Sequence, residues 1–164
     1  MLNPKIEKAL NEQVQAELFS SYLYLSMSAF FESQGWGGFA SWMRAQSDEE
    51  RAHAMKIYDF IFTRGGRSVL KAIDAPQSEW KSVHEVFEET YKHEQKVTNL
   101  IHGLVALAIA ENDYATKNFL DWFVDEQVEE EENCVKILDT LKLIGDAKQG
   151  LYFFNKELGG RAKG

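Results

Sequence analysis

A carboxylate and an imidazole lie in the middle of an apolar helical stripe. Glu50 and His53 are three residues apart, so on a helix they share one face and can hold one ion between them. The row at steps of three and four reads Phe39, Met43, Gln46, Glu50, His53, Ile57, Phe60. One such pair also occurs by chance on the surface of an acidic helix. If the face is buried, however, the pair needs a counter-charge or a metal ion, because burying either group unsatisfied is costly.

Three other stretches show the same pattern, with apolar residues at both ends and polar residues in the middle. Their rows are Leu10, Val14, Glu17, Ser21, Tyr24, Ser28, Phe31; then Phe87, Tyr91, Glu94, Val97, Ile101, Leu104, Ala108; and finally Leu120, Phe123, Gln127, Glu130, Cys134, Ile137, Leu141. The chain has only two prolines, so nearly all of it is free to be helical. The patterns predict an all-α protein with helices at about 5–33, 38–64, 82–111 and 114–144, and a short fifth helix at about 148–158.

Glycines, an Asn-Asp pair and one long irregular stretch separate these helices. Residues 66 to about 81 contain Pro76 and show no sustained period. Fully extended, about fifteen residues reach roughly 50 Å, which exceeds the length of a 25-residue helix. We therefore expect a crossover that makes the third helix parallel to the second, within a single domain that covers residues 1–164. The expected fold is an antiparallel four-helix bundle with one long crossover loop.

The polar positions of the four rows follow one spacing. Glu17 and Glu50 are 33 residues apart, as are Glu94 and Gln127, and another polar residue follows three positions later in each case. The two hairpins therefore carry their polar groups at depths that agree within about one 5.4 Å helical turn. Four carboxylates and one imidazole in a buried layer need metal ions or shared protons. The layer comprises Glu17, Glu50, His53, Glu94, Gln127 and Glu130.

Such a layer suits two divalent iron or manganese ions. These ions take carboxylate and imidazole ligands, and a pair about 3.5–4 Å apart can be bridged by one carboxylate. Glu50 is the expected bridge, because it lies between Glu17 and His53 on one side and the carboxylates of the third and fourth helices on the other. A thiolate zinc site is excluded, because Cys134 is the only cysteine.

Charge and composition narrow the functional class and the expected location. Hydrophobic residues make up 45% of the chain, which is typical of a globular protein with a core. The net charge of −8 argues against nucleic acid as a partner and is compatible with attracting cations. The N-terminus lacks the apolar segment of a signal peptide, and no apolar run approaches membrane-spanning length. With a single cysteine, these features predict a cytoplasmic protein with no membrane partner.

The polar layer belongs to a longer set of motifs. These are Glu17 with Tyr24, Glu49-Glu50-Arg51-Ala52-His53, Glu94, Trp122, and Glu126-Gln127-Val128-Glu129-Glu130. In these motifs the chain closely resembles the bacterial-type non-haem ferritins, essentially from end to end. The resemblance implies the ferritin-like four-helix bundle with one crossover and a short C-terminal helix.

The second hairpin differs from that of the haem-containing bacterioferritins, which carry Glu-x-x-His in both halves. Here the second motif is Gln127-x-x-Glu130. Arg51 occupies the position, two before the histidine, where the haem methionine would be expected, so the resemblance predicts no haem. A rubrerythrin-like peroxidase would be expected to add a Cys-x-x-Cys module, which one cysteine cannot form.

The resemblance also implies a ligand set for iron. Glu17, Glu50 and His53 would bind the first iron, and Glu50, Glu94 and Glu130 the second. Gln127 would hydrogen-bond within the site or contact bound dioxygen. A third iron site beside the pair would comprise Glu49, Glu126, Glu129 and Glu130. Judged without the resemblance, a solvated acidic face is an equally good interpretation of Glu126 and Glu129.

Aromatic and histidine residues near the layer have less specific interpretations. Tyr24 lies two turns from Glu17 on the same row and would donate an electron, hydrogen-bond a ligand, or serve as a core tyrosine bonded to a carboxylate. Trp122 is interpreted as an aromatic core residue, with a redox neighbour as the alternative. We expect His84, His93 and His102 to be surface residues.

The function implied by the resemblance is iron storage and detoxification by a ferroxidase. Two Fe(II) ions would be oxidised by dioxygen or hydrogen peroxide, and ferric mineral would collect inside a hollow shell of twenty-four subunits, with the fifth helix lining channels. One rival is a soluble, peroxidase-like di-iron redox enzyme that stores no iron. A structural bundle with an inert centre is the third interpretation.

Overall fold

The computed structural model describes residues 1–161, and these residues form five α-helices and no strand. The helices are α1 (Pro4–Ser33), α2 (Gly37–Thr63), α3 (Val83–Ala110), α4 (Tyr114–Ile144) and α5 (Lys148–Gly159). The predicted all-α class is confirmed, and every helix end lies within one residue of its predicted position. Within the described part of the chain, no helix is both long enough and apolar enough to cross a bilayer.

Three helices begin at residues whose side chains cap the first turn. Asn3 accepts a hydrogen bond from the backbone N–H two residues ahead at 2.8 Å, and Pro4 occupies the first helical position. Ser82 and Asp113 each accept from the N–H three residues ahead, at 3.1 and 3.0 Å. The chain reverses after α1 at Gly35, whose φ of 80° favours glycine.

Hydrogen bonds between neighbouring helices establish an antiparallel bundle. The start of α1 lies against the end of α2, where Leu2 N donates to Arg64 O at 3.1 Å. Asn3 donates to Glu111 at 2.8 Å, so the start of α1 also meets the end of α3. Because α2 and α3 are both antiparallel to α1, they are parallel to each other, as the crossover predicts.

The crossover occupies residues 64–82 and follows the outside of α1. Side chains of Asn11, Gln15 and Ser26 donate to backbone carbonyls of the loop at distances between 2.6 and 3.0 Å. These three residues span four turns of α1, so the loop is bound along much of that helix. The extended path of the loop is thereby stabilised without regular secondary structure.

The core consists of two apolar clusters on either side of the polar layer. One cluster includes Phe31, Phe39, Phe87 and Leu141, and the other includes Ile6, Leu10, Ile57, Ile101 and Leu120. Three predicted inward positions are shifted by one residue. Ser20, Ile61 and Thr90 are buried where Ser21, Phe60 and Tyr91 were expected, and the latter three are half-buried.

Helix α5 packs against the first turn of α2. Phe154 is buried, and its ring centroid lies 5.9 Å from that of Phe39. The Phe39 N–H donates to Asn155 Oδ1 at 3.0 Å. Gly38 permits this approach, because a Cβ atom there would lie 1.7 Å from the Asn155 carbonyl oxygen. The short helix is therefore an integral part of this end of the bundle.

Candidate metal centre

All six residues of the polar layer meet in the centre of the bundle. Helix α1 contributes Glu17, α2 contributes Glu50 and His53, α3 contributes Glu94, and α4 contributes the remaining two. None of the six exposes more than 5% of its surface. The helical repeat places each group on an inward face, and the antiparallel packing brings the four faces to one level.

Two sets of three residues can each present ligand atoms to one ion. The first set is Glu17, Glu50 and His53, and the second is Glu50, Glu94 and Glu130. Within each set the candidate ligand atoms lie within 4.8 Å of one another. Glu50 belongs to both sets, so its carboxylate would be the one to bridge two ions if both sets were occupied.

Two carboxylate oxygens in this layer have no hydrogen-bond partner. Oε2 of Glu17 and Oε1 of Glu50 are both buried and unpaired. A buried oxygen that lacks a donor is costly, and a cation at the shared position would satisfy both atoms. His53 Nδ1 lies 3.3 Å from Oε2 of Glu50, on the same side of the layer.

The buried carboxyls have raised pKa values. Burial raises the pKa of Glu50 well above its ordinary range, and the neighbouring carboxyls of Glu94 and Glu17 raise it further. Burial likewise raises the pKa of Glu94 to about 7 and that of Glu130 to about 8. In the absence of a cation these groups retain protons near neutral pH, and a bound cation would displace them.

Four side chains donate hydrogen bonds to the carboxylates and orient them. Tyr24 Oη donates to Glu94 Oε1. Gln127 Nε2 donates to Glu94 Oε2 at 3.1 Å and to its backbone oxygen at 3.2 Å. Gln13 donates to Glu17 at 2.8 Å, and Gln46 donates to Glu130 at 2.6 Å. Such partners fix the rotamers of potential ligands.

Two of these supporting residues had no predicted role. Gln13 lies four residues before Glu17, so its place on the same helix face was a usable signal in the sequence. Gln46 belongs to the inward row of α2, but its partner lies on α4. Only the packing of the two hairpins brings that pair together.

A third set of candidate ligands lies beside the first two and comprises His53, Glu126 and Glu130. His53 Nε2 is 3.6 Å from Glu126 Oε1. Of the residues expected at a third site, Glu129 is exposed, and Glu49 is half-buried and paired with Arg161 at 2.8 Å. Neither joins this set, although the charges of both raise the pKa of Glu126, after the larger effect of burial.

Trp122 and His93 occupy environments that differ from those expected. Trp122 is 39% exposed. The Lys56 ammonium lies over the face of its ring, 3.6 Å from the ring centre, and the centroid of the His53 ring lies 5.4 Å away. His93 is packed against the Tyr24 ring, and its Nε2 lies 2.7 Å from Ser20 Oγ. Burial lowers the pKa of His93 to about 4. The core assignment for Trp122 was therefore wrong, and His93 is half-buried rather than fully at the surface.

A cavity of about 920 Å³ connects one side of this layer with the surface of the subunit. Its walls include His53 from the layer, Glu126 beside it, and Arg44, Asp48, Glu49 and Arg161 around them. Small ions therefore have a route to the His53 side of the layer along charged and polar side chains.

The fold and the site together define a four-helix-bundle protein with a carboxylate-rich candidate metal centre in its core. A family model described as a ferritin-like domain matches residues 7–144. The chain belongs to the ferritin family, as the sequence motifs indicated.

Its relatives include bacterial non-heme ferritins from three genera. The chain is 47% identical to that of Bacteroides fragilis (strain 638R) over 161 residues, which cover 98% of this chain and 100% of the relative. It is 43% identical to the Staphylococcus saprophyticus protein, with coverage of 99% and 97%. It is 41% identical to the Escherichia coli O157:H7 protein, with coverage of 96% of each chain.

Solved structures show the same architecture. An open pore ferritin from the hyperthermophilic archaeon Archaeoglobus fulgidus superposes with a TM-score of 0.98 at 50% identity, covering 99% of this chain and 100% of that chain. A closed form engineered from the same ferritin gives a TM-score of 0.98 at 49% identity, with 99% coverage of each chain. The predicted ferritin-like bundle is thereby confirmed.

Proposed function

We propose that this protein stores and detoxifies iron in the cytoplasm by oxidising Fe(II) at the centre of each subunit. The observation that carries this proposal is the pair of ligand sets that share Glu50 and leave two buried carboxylate oxygens unpaired. Two Fe(II) ions are the substrates, each giving one electron to dioxygen or hydrogen peroxide. The ferric product then moves on to a mineral.

The residues of the layer have distinct roles in this proposal. Glu17, Glu50 and His53 hold the first iron, and Glu50, Glu94 and Glu130 hold the second. Hard, charged carboxylate oxygens favour Fe(III) over Fe(II), so the ligand set assists the loss of an electron. As each ion enters, the carboxyls release the protons that burial lets them retain. No haem takes part in this scheme.

Gln127 and Tyr24 act on Glu94. Tyr24 donates a hydrogen bond to Oε1 of its carboxylate, and Gln127 donates one to Oε2. They hold it in the orientation needed by the second iron. Tyr24 is buried next to that carboxylate, which can accept the phenolic proton if the ring gives up an electron.

A third iron site completes the centre on the side of the open cavity. Its core is Glu126 and Glu130, which already lie within reach of His53. Glu49 and Glu129 stand at its edge, close enough for their charges to act on Glu126. This position would receive iron that leaves the pair.

Storage requires a container, and a single subunit of this size encloses none. We propose a homo-oligomeric hollow shell of twenty-four subunits. Large apolar side chains remain exposed on this subunit, among them Leu143 at 89%, Phe153 at 61% and Tyr152 at 49%. Burial of such residues against other subunits supplies the association energy, and α5 places two of them near the channels it would line.

The test is to add Fe(II) in large excess to the metal-free protein in air and to measure the ferric iron that co-elutes with the protein. Hundreds of irons in a large particle support storage in a shell. About two irons per chain and no mineral would instead favour the di-iron redox enzyme.

Variants of the centre test its role in oxidation. Glu50→Ala and His53→Ala should abolish the fast phase of oxidation while the helix content stays unchanged. Glu132→Ala is the matched control, because Glu132 is exposed and pairs with Lys136 on its own helix. An unchanged fast phase in Glu50→Ala would refute the site assignment.

A further inference from the structure

The guanidinium of Arg161 lies at the edge of the metal centre. Its Nη2 is 2.8 Å from Glu49 Oε1, and its Nη1 donates to Gln46 Oε1 at 3.0 Å. The same Nη1 donates to the Trp42 carbonyl at 3.3 Å, and the guanidinium carbon lies 4.7 Å from the centre of the Trp42 ring. Arg161 therefore interacts with three residues of α2 while belonging to the segment that follows α5.

The docking of α5 determines where Arg161 lies. Gly159 and Gly38 are in such close contact that a Cβ atom on Gly159 would lie 2.9 Å from the Cα of Gly38. The chain then turns, with the Arg161 N–H donating to the Leu158 carbonyl at 3.2 Å. Two close backbone contacts hold α5 against α2. Arg161, which follows α5, therefore lies at a defined position along α2.

Arg161 and two members of the third set of candidate ligands line one cavity. His53, Glu126, Glu49 and Arg161 all line it. Glu49 is close enough for its charge to act on both Glu126 and Glu130. Its carboxylate thus stands between a permanent cation on one side and a possible metal position on the other.

We propose that Arg161 competes with the third metal ion for the Glu49 carboxylate and thereby weakens metal binding at that position. The proposal rests on the function proposed above, since it concerns the third position of the same centre. An arginine is always charged and binds carboxylates through a fixed fork of donors. A metal ion that takes Glu49 as a ligand must break the ion pair between Glu49 and Arg161, and it then lies close to the positive charge of Arg161.

The consequence is a third position that holds iron weakly enough to release it. Iron that leaves the paired site would pass the side of the centre that His53 and Glu126 form. There the Glu49 carboxylate is already bound by Arg161. Weak retention at that point favours onward movement to the mineral. Arg161 is thus a positioning residue that acts on a metal ligand without touching the metal.

The test is a calorimetric titration of the metal-free assembled protein with Zn²⁺, which binds carboxylate and imidazole ligands without redox chemistry. Wild-type protein should bind two ions per subunit tightly and a third more weakly. In Arg161→Gln the third ion should bind about fivefold more tightly, the scale expected for loss of one half-exposed ion pair. Arg161→Lys, which keeps the charge but not the fork, should give a smaller gain.

Two further variants isolate the role of Glu49. The double variant Arg161→Gln, Glu49→Gln should lose the gain in Zn²⁺ affinity at the third position, because the Glu49 carboxylate is no longer present. Lys156→Gln should leave the third affinity unchanged, because it removes one positive charge from α5, and the Lys156 ammonium lies 5.1 Å from the centre of the Tyr152 ring on the same helix. An unchanged or weaker third affinity in Arg161→Gln overturns the proposal. So does a fall in melting temperature with no change in Zn²⁺ affinity, which would identify Arg161 as a purely structural contact.

Failure of the broader proposal has a different signature. If Glu50→Ala leaves the first two Zn²⁺ ions bound as before, the assignment of the paired site is wrong. The Arg161 proposal fails instead when the first two ions respond to Glu50→Ala and the third does not respond to Arg161→Gln.

Discussion

Gln46 and Glu130 join two helices that belong to different hairpins. Nε2 of Gln46 donates to Oε2 of Glu130 at 2.6 Å in the buried layer between α2 and α4. The other end of the same amide accepts a hydrogen bond from Arg161 at 3.0 Å. The hydrogen bond from Gln46 lowers the pKa of the Glu130 carboxyl, but burial has the larger effect and raises that pKa to about 8. Gln46 therefore keeps Glu130 oriented and closer to its ionised form.

Replacing Gln46 by Leu should weaken metal binding at the second position. The variant removes the donor to Glu130, and the loss of such an outer partner lowers metal affinity by about tenfold or more. Zn²⁺ titration of the metal-free protein measures the effect. Gln15→Leu is the control, because Gln15 donates to the crossover loop at Ala72 instead. Equal Zn²⁺ affinity in the two variants would contradict the role given to Gln46.

Replacing Tyr24 by Phe should move metal binding to higher pH. The hydrogen bond from Tyr24 lowers the pKa of Glu94, which burial raises to about 7. Without that donor the pKa of Glu94 rises further, so the carboxyl must lose a more tightly held proton before it can bind a metal ion. We expect Zn²⁺ to bind about tenfold more weakly at pH 6.5, since a hydrogen bond to a charged group contributes about 1.5 kcal/mol.

The difference between Tyr24→Phe and wild type should shrink as the pH rises. At pH 9 the Glu94 carboxyl is ionised in both proteins, so only a small difference in Zn²⁺ affinity should remain. A difference that is the same at pH 6.5 and 9 would show that Tyr24 acts through packing alone.

The metal-free protein should lose stability as the pH rises from about 4.5 to 8. Glu94 and Glu130 have folded-state pKa values of about 7 and about 8, against an unperturbed value of 4.5. The unfolded chain therefore releases these protons at lower pH than the folded chain does. Their stabilising contribution is complete below pH 4.5 and is lost as the pH rises through 7 and 8.

Thermal unfolding of the metal-free protein at several pH values measures this trend. Glu94→Gln and Glu130→Gln should flatten the decline, because each removes one of the titrating groups. Added Zn²⁺ should restore stability above pH 7, because a cation replaces the displaced protons. Equal melting temperatures at pH 5.5 and 8 would contradict the prediction.

Replacing Gly38 by Ala should detach α5 from the bundle. The new Cβ atom would lie 1.7 Å from the Asn155 carbonyl oxygen, so α5 has to shift. We expect a loss of about 1–3 kcal/mol, the usual cost of overpacking. Gly37→Ala is the matched control, because a Cβ atom there meets nothing within 4 Å.

Thermal unfolding and limited proteolysis after Ile144 distinguish the two glycine variants. Gly38→Ala should lower the melting temperature by several degrees and expose the C-terminal segment to protease. Gly37→Ala should behave like wild type. Equal protection of α5 in both variants would show that Asn155 can move aside at little cost.

The helices and the polar layer could be predicted from the sequence because their signals are local. A helical repeat places Glu50 and His53 on one face whatever the rest of the chain does. The shared 33-residue spacing then aligns the two hairpins. Glycines and capping residues mark the helix ends, which is why the bounds agree to one residue.

Trp122 and His93 could not be placed in the same way. Both lie at the border of an inward face, where a small rotation of the helix decides between core and solvent. Trp122 is left 39% exposed beneath the Lys56 ammonium, whereas His93 is covered by Tyr24 and bonded to Ser20. Their environments come from residues on other helices, which no local pattern contains.

The sequence by itself determined the helices, the crossover and the six polar residues that meet in the core, because periodicity and spacing act within a helix or between two helices of a hairpin. Only the tertiary structure decided which atoms of that layer are paired. Oε2 of Glu17 and Oε1 of Glu50 are left without a donor, while Glu130 receives one from Gln46. It also decided that Arg161 reaches Glu49. Hydrogen bonds act over about 3 Å, so they depend on how helices distant in sequence pack.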